Sequence, residues 1–510
     1  MADACVGKPN HPPPKSLLNV YLCRPFGDMQ RVQLVVEAAA PTADNWVILA
    51  EKDGLTRLAE WLEAAECAFV QQAAARDVQQ FCFPRAERLV FVRLLKPEKN
   101  PSLAAESARA AGNDLLRELR QYKLETLTLF NACSANRALP FAEGLALGSY
   151  QFFKYFTQPD KKDKPLRSIA FGPDVASEGE VAALDALVES VFLTRDWVNE
   201  PHSHFSAVHL GEQVEAAAAE YGFCAEVLGE EALESLRMGG LLAVNRASSV
   251  PPRFCILEWK PPAARNARPL VLVGKGVVYD TGGLSIKSSE GMEYMKCDMA
   301  GAAVVAAVFA LAARLRWPLH LVGIIPATDN KIGEKAIGPG DVITMHSGTT
   351  VEVVNTDAEG RLILADALHF AKKYEPELVL DFATLTGAAI KALGNQAIAY
   401  MGTAAREIKQ AFEESGHATY ERLVELPLWK EYGDELKSPI ADLRNVGSSN
   451  GGMMTAGKFL EHFVGDLPWL HFDIAGPAYL RTANGYRPKE GTGVGVRLVA
   501  EFLRRRYLSE

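Results

Sequence analysis

The chain has 510 residues, of which 48% are hydrophobic and 23% charged, with a formal net charge of −9. This composition is that of a globular protein with a large core, and the length favours about two to four domains. The densest basic runs, Lys161-Lys162-Asp163-Lys164 and Arg504-Arg505-Arg506, are too short for a phosphate-binding footprint, so nucleic acid is disfavoured as a partner.

Residues Met1 to Lys15 are polar and proline-rich (His11-Pro12-Pro13-Pro14), without the apolar core of a signal peptide. They read as a disordered tail. Residues 16–177 read as a smaller N-terminal α/β domain. Leu17–Leu22 and Arg88–Leu94 are strand-like, and Ser102–Tyr122 and Leu145–Phe156 are helical in pattern. A charged, proline-bounded loop follows over Gln158–Pro165, then a strand over Ser168–Gly172. This part carries no clustered carboxylates or histidines. A long helical pattern over Glu178–Asn199 is stopped by Pro201, so residues 178–200 read as a connecting helix.

Residues 201–510 read as a larger, catalytic α/β domain. Continuous apolar strands at Pro269–Val273, Leu319–Ile325, Glu377–Phe382 and Trp469–Ile474 alternate with helices. That pattern predicts a mixed sheet with a mostly parallel core, covered by helices on both faces, with ligands at the carboxyl ends of its strands. The apolar run Met299–Ala313 is too short to span a bilayer and reads as a buried helix, so no membrane partner is expected. The eight cysteines are scattered with no C-x-x-C pair. This favours buried thiols in a reducing compartment, hence a cytoplasmic protein.

Three segments fall at predicted strand ends. Gly274-Lys275-Gly276 leads to Asp280, Gly282-Gly283 and Lys287; Met295-Lys296-Cys297-Asp298 opens the Ala-rich run; and Asn355-Thr356-Asp357-Ala358-Glu359-Gly360-Arg361 joins a β-rich run to a helical one. Each has a bland reading. Asp298, Asp357 or Glu359 would cap a helix, Lys275 would pair with Asp280, and Gly282-Gly283 would be a plain turn. The spacing fits neither a P-loop nor G-x-G-x-x-G. Asp280, Asp298, Asp357 and Glu359 together would repel one another unless cations lay between them. Two divalent ions roughly 3.5–4 Å apart would satisfy them and activate water. A lysine joins such a set only when neutral, whereas a second lysine and an arginine would stay charged and stabilise an oxyanion. Oxygen donors with one lysine nitrogen suit Zn or Mn, and also Co or Mg. Carboxylates alone would serve a two-metal phosphoesterase as well as a peptidase, and a binding protein is the alternative of another class.

Asn355 to Leu362 resembles the signature of the leucyl (cytosol) aminopeptidase family. The two earlier segments, Arg195-Asp196-Trp197-Val198-Asn199-Glu200-Pro201, Asp381 to Ala388 and Asp473-Ile474-Ala475-Gly476 also resemble that family, over roughly residues 190–505. The resemblance implies that Asp280 and Glu359 bridge two metals, that Lys275 and Asp298 complete one, and that Asp357 completes the other. It implies that Lys287 polarises the scissile carbonyl and that Arg361 holds a bicarbonate acting as general base. Met295, Ala358, Thr384, Gly387, Ala475 and Ala478 would line the pocket for the first side chain. Tyr279 stands where phenylalanine is common, and Ala478 is small where some relatives carry a larger residue. The implied activity is removal of N-terminal residues, Leu and other apolar ones preferred, from short peptides with a free N-terminus, by a homohexamer.

Overall fold

Apolar strand segments feed two large sheets in this computed structural model, which describes residues 31–36, 45–158, 166–173 and 175–508. The predicted tail over 1–15, the strand at Leu17–Leu22 and the loop over Pro159–Pro165 lie outside the described residues. The first sheet has the order Gln33–Val36, Ser168–Phe171, Thr126–Asn131, Asn45–Glu51, Leu89–Leu95, Gln80–Pro84. Its pairings are parallel except for the last strand. Successive side chains of a strand point to opposite faces. Val47 and Leu49 accordingly enter one apolar cluster, whereas Ile48 and Ala50 enter another on the far side.

The second sheet runs Leu423–Glu425, Ile398–Gly402, Trp469–Asp473, Leu378–Ala383, Leu270–Gly274, Leu321–Asn330, Arg253–Trp259, Cys224–Leu228, with Gly276–Asp280 also paired to Leu321–Asn330. The four central strands, from Trp469–Asp473 to Leu321–Asn330, are mutually parallel, and antiparallel strands flank them on both sides. The α/β class, the two-part build and the parallel-cored mixed sheet predicted from sequence are all present. Helix Glu178–Asn199 starts in a capping box, with Ser177 and Glu180 each satisfying the other's backbone amide. Its Val188, Val191, Phe192 and Trp197 join an apolar cluster containing residues of both sheets.

One predicted helix is displaced. The helix expected at Leu145–Phe156 instead spans Ala138–Gly148. It stops at a glycine, a poor helix former, and Tyr150 turns its hydroxyl to Asp196 at 2.6 Å. Among the described cysteines none is in a disulfide; Cys133, Cys255 and Cys297 are buried, but Cys224 is exposed, so the expectation of buried thiols holds in part. Helical stretch Ser289–Arg314 is long and apolar enough to cross a membrane by length and composition, yet 89% of its apolar window is buried inside the protein.

Helix Ala300–Arg314 lies against the sheet where the backbones approach closely. A Cβ on Gly301 would sit 2.0 Å from the Phe382 carbonyl oxygen and 2.9 Å from the Lys275 nitrogen. Gly301→Ala must push helix and strand apart, so it is expected to cost about 1–3 kcal/mol of stability, the range for overpacked cores. Urea unfolding of the two proteins measures this; equal midpoints would contradict the close contact.

Candidate metal centre

The parallel strands deliver polar side chains to one edge. Leu270–Gly274 ends at Lys275, Leu321–Asn330 ends on Asn330, Leu378–Ala383 ends before Thr384, and Trp469–Asp473 ends on Asp473. Gly276–Asp280 adds Asp280, followed by Gly282 and Gly283 at φ 86° and 63°. These two glycines are required here: a Cβ on Gly282 would lie 2.8 Å from the Asp357 carboxylate, in a backbone region that side chains disfavour.

All four carboxylates meet at this edge with both lysines. Lys275 Nζ lies 2.7 Å from Asp298 and 3.0 Å from Glu359, and donates to the Thr384 carbonyl at 3.1 Å. Lys287 Nζ lies 2.8 Å from Asp280 and 2.5 Å from Asp357. Asp280, Asp357 and Glu359 each offer an oxygen within 4.8 Å of the others. The bland readings do not describe these contacts. Lys275 pairs with Asp298 and Glu359 rather than Asp280. Met299, not Asp298, precedes helix Ala300–Arg314, and Glu359 precedes helix Gly360–Ala371 without a side-chain cap bond.

Two ammonium groups against four carboxylates leave two negative charges uncompensated in a site where Lys275, Asp280, Asp298 and Glu359 are buried. Burial, reinforced by Asp280 and opposed by Lys275, pushes the Glu359 carboxyl up to about 8. Burial likewise pushes Asp298 up to about 6 against the pull of Lys275, and raises Asp357. Burial opposes the charged form of Lys275, but Asp298, Glu359 and Asp280 outweigh it and hold the amine above its ordinary value. Asp280 and Glu359 similarly outweigh the burial of Lys287. Asp298 Oδ2 and Asp357 Oδ1 have only ion-pair contacts and no well-directed hydrogen bond. Excess negative charge, converging oxygens and a lone amine together suit divalent cations.

Arg361 is buried beside this cluster. Its Nη1 donates to the Asn445 carbonyl at 2.8 Å, and its Nε has no partner. Burial lowers the guanidinium to about 10, against the charges of Glu359 and Asp473. Thr384, whose Oγ1 donates to Asp298 at 2.8 Å, and exposed Gly387 follow one central strand. Ala475 and Ala478 follow its register neighbour, in which Asp473 aligns with Ala383. Met295 is half-buried in the turn before Asp298, and Ala358 is 9% exposed between the two motif carboxylates. Ala478, at 2%, sits deeper in the wall, with its carbonyl accepting from Thr492 at 3.3 Å.

Three residues of the site receive no role from sequence, and only Asp473 lies in a segment that resembles the family. Asn330 donates to Asp280 at 2.8 Å, to the Thr356 carbonyl at 3.0 Å and to Glu359 at 3.4 Å, fixing the two carboxylates relative to each other. An amide ending a ten-residue strand that is buried throughout was the available clue. Asn445 accepts from Val354 and Asn355 and donates to the Asn355 carbonyl, clamping the strand-to-helix motif. Its partners, from Glu352 to Arg361, are 84 or more residues away, so local pattern gives no sign of it. Asp473 accepts from the Leu385 and Ala475 amides and the Thr386 hydroxyl, tying together the two loops that follow the central strands.

Comparison with known proteins agrees with this geometry. Residues 192–500 match the family described as the cytosol aminopeptidase family, catalytic domain. A probable cytosol aminopeptidase of Geobacter sp. is 44% identical over 429 residues, covering 82% of this chain and 86% of the relative. A solved structure of the bottromycin maturation enzyme BotP in complex with Mn is 32% identical, with a TM-score of 0.79 over 92% of this chain and 100% of the other. A mutant of tomato leucine aminopeptidase is 26% identical, with a TM-score of 0.82 over 95% of this chain and 99% of the other. The chain belongs to the cytosol aminopeptidase family of metal-dependent aminopeptidases.

Proposed function

We propose that this chain removes the N-terminal residue, Leu and other apolar residues preferred, from short peptides by a two-ion mechanism. The observation that carries the reading is the meeting of Lys275, Asp280, Asp298, Asp357 and Glu359 at the carboxyl edge of one sheet. These five residues would hold two divalent ions, Zn or Mn first, with Co and Mg also suited to the donors. The ions, when bound, supply Lewis-acid polarisation and water of lowered pKa. Lys275 can ligate only by giving up a proton that its carboxylate neighbours hold tightly, so metal binding should release protons.

Lys287 would act on the substrate directly. Its side chain is 18% exposed between Asp280 and Asp357, and its ammonium would donate to the scissile carbonyl oxygen as negative charge develops there. Arg361 would hold bicarbonate: a buried guanidinium with an unused N–H suits a planar anion that binds through two oxygens. That anion would accept the proton of the attacking water. Met295, Ala358, Thr384, Gly387, Ala475 and Ala478 would form the first-residue pocket, where small and apolar groups leave room for an aliphatic side chain. Family membership supports a homohexamer acting in the cytoplasm. In that assembly residues 16–177 would be the peripheral unit, 178–200 the connecting helix and 201–510 the catalytic unit.

With Mn²⁺ or Zn²⁺, Leu-p-nitroanilide should be hydrolysed, N-acetyl-Leu-p-nitroanilide should not, and p-nitrophenyl phosphate should be a poor substrate. Phosphatase activity without peptidase activity would sink the proposal. Lys287→Ala should lower kcat by about 10²–10³, as loss of one oxyanion donor does, and steady-state kinetics on Leu-p-nitroanilide reads this.

A Cβ on Gly360 would sit 2.6 Å from Lys275 Nζ, so the glycine leaves the lysine its path to the carboxylates. Gly360→Ala should displace the amine and weaken metal binding about 10-fold or more, the size of effect seen when supporting contacts of a metal site are lost. Competition with a fluorescent chelator measures it, with circular dichroism as the control for folding. Unchanged affinity would argue against Lys275 as a ligand.

A further inference from the structure

A second charged cluster lies away from the candidate metal centre, where helix Ala138–Gly148, the connecting helix and the Pro477–Arg497 segment meet. It surrounds a cavity of about 20 Å³ whose lining includes Arg195, Arg422, Arg487 and Arg497 and one acidic residue, Glu421. Arg195 is 1% exposed and Arg497 4%. A buried charge is costly unless it is paired.

Arg195 spends its donors on neutral groups. It donates to the Thr492 carbonyl at 2.9 Å, the Leu147 carbonyl at 2.6 Å and the Tyr486 carbonyl at 3.2 Å. No carboxylate lies within salt-bridge distance of Arg195, Arg422 or Arg487 among the described residues. Arg497 Nε reaches Glu143 at 2.6 Å, but Glu143 also serves Arg109 at 2.7 Å. Glu421 is 3.7 Å from Arg497 Nη1, and its other oxygen is taken by the Gly495 and Leu498 amides at 2.9 and 3.2 Å. Arg497 Nη2 and Arg422 Nε are buried without a partner. Arg109 also pairs with Glu106. Five arginines are therefore met by the carboxylates Glu106, Glu143 and Glu421, an excess of two positive charges. Burial, reinforced by Arg497 and opposed by Tyr150 and Asp196, lowers the Arg195 guanidinium to about 10.

We propose that this cavity binds one monatomic anion of chloride size, held by Arg195, Arg422, Arg487 and Arg497. The volume and the buried, unpartnered Arg497 Nη2 and Arg422 Nε together suit a small anion. A site needs about 10–15 Å³ of such space for a single water-sized occupant, so 20 Å³ has room for one small ion. The anion offsets half of the excess positive charge at the junction of the two sheets. It also lies behind Pro477, whose carbonyl accepts from Thr492 at 2.7 Å next to Ala478. It thereby braces the wall that carries Ala478 from behind, independently of any metal.

The test is thermal unfolding of the full-length protein at constant ionic strength, with chloride replaced stepwise by gluconate. The midpoint should rise saturably with chloride, by about 2 °C or more when the site fills. The double variant Arg422→Gln, Arg487→Gln, at two half-buried positions, should lose that rise. Crystals grown in bromide should show an anomalous peak among the four guanidinium groups. The same midpoint in both salts, a chloride rise retained in the double variant, or a water in place of the bromide peak would each overturn the proposal. If the double variant fails to fold, the wild-type titration and the bromide peak decide.

Discussion

Charge compensation at one sheet edge governs the arrangement of this molecule. Four carboxylates and two lysines share a largely buried volume, and the lysines answer only half of the negative charge. The residue is expressed in the raised Glu359 and Asp298 carboxyls, which burial and mutual repulsion keep from ionising easily. A fold that concentrates charge in this way must hold the groups rigidly, since a buried charge free to relax would seek water instead.

The surrounding structure provides that rigidity through backbone proximity and neutral hydrogen bonds. Gly274 and Gly301 let helix Ala300–Arg314 press on the sheet, which sets Asp298 beside Lys275. Asn330 bridges Asp280 and Glu359, Asn445 clamps the segment bearing Asp357 and Glu359, and Asp473 fixes the loops that carry Thr384 and Ala475. None of the three adds to the lysines' cationic compensation. The cluster at the domain junction shows the opposite imbalance, an excess of arginine, and is built on different helices.

Much of this was readable from sequence, for identifiable reasons. Fully buried parallel strands are continuous apolar runs, so the four central strands were predicted to within a few residues, and Pro201 marks the end of helix Glu178–Asn199. The seven charged residues singled out at strand ends do come together, because parallel strands place their carboxyl ends on one edge. What was not readable was long-range. The helix near Ala138–Gly148 was misplaced because Tyr150 is recruited by Asp196, 46 residues on. Asn445 acts through backbone groups of a distant segment, which leave no periodicity in the chain.

The central claim is that the five clustered side chains form one site for two divalent ions. Metal analysis by inductively coupled plasma mass spectrometry after exhaustive dialysis from Mn²⁺ or Zn²⁺ tests it directly. The account predicts two ions per wild-type chain, and fewer than one in a folded Glu359→Ala variant, since that carboxylate lies against both lysine-centred halves of the cluster. A wild-type chain that retains at most one ion, or a variant that keeps both, would contradict it.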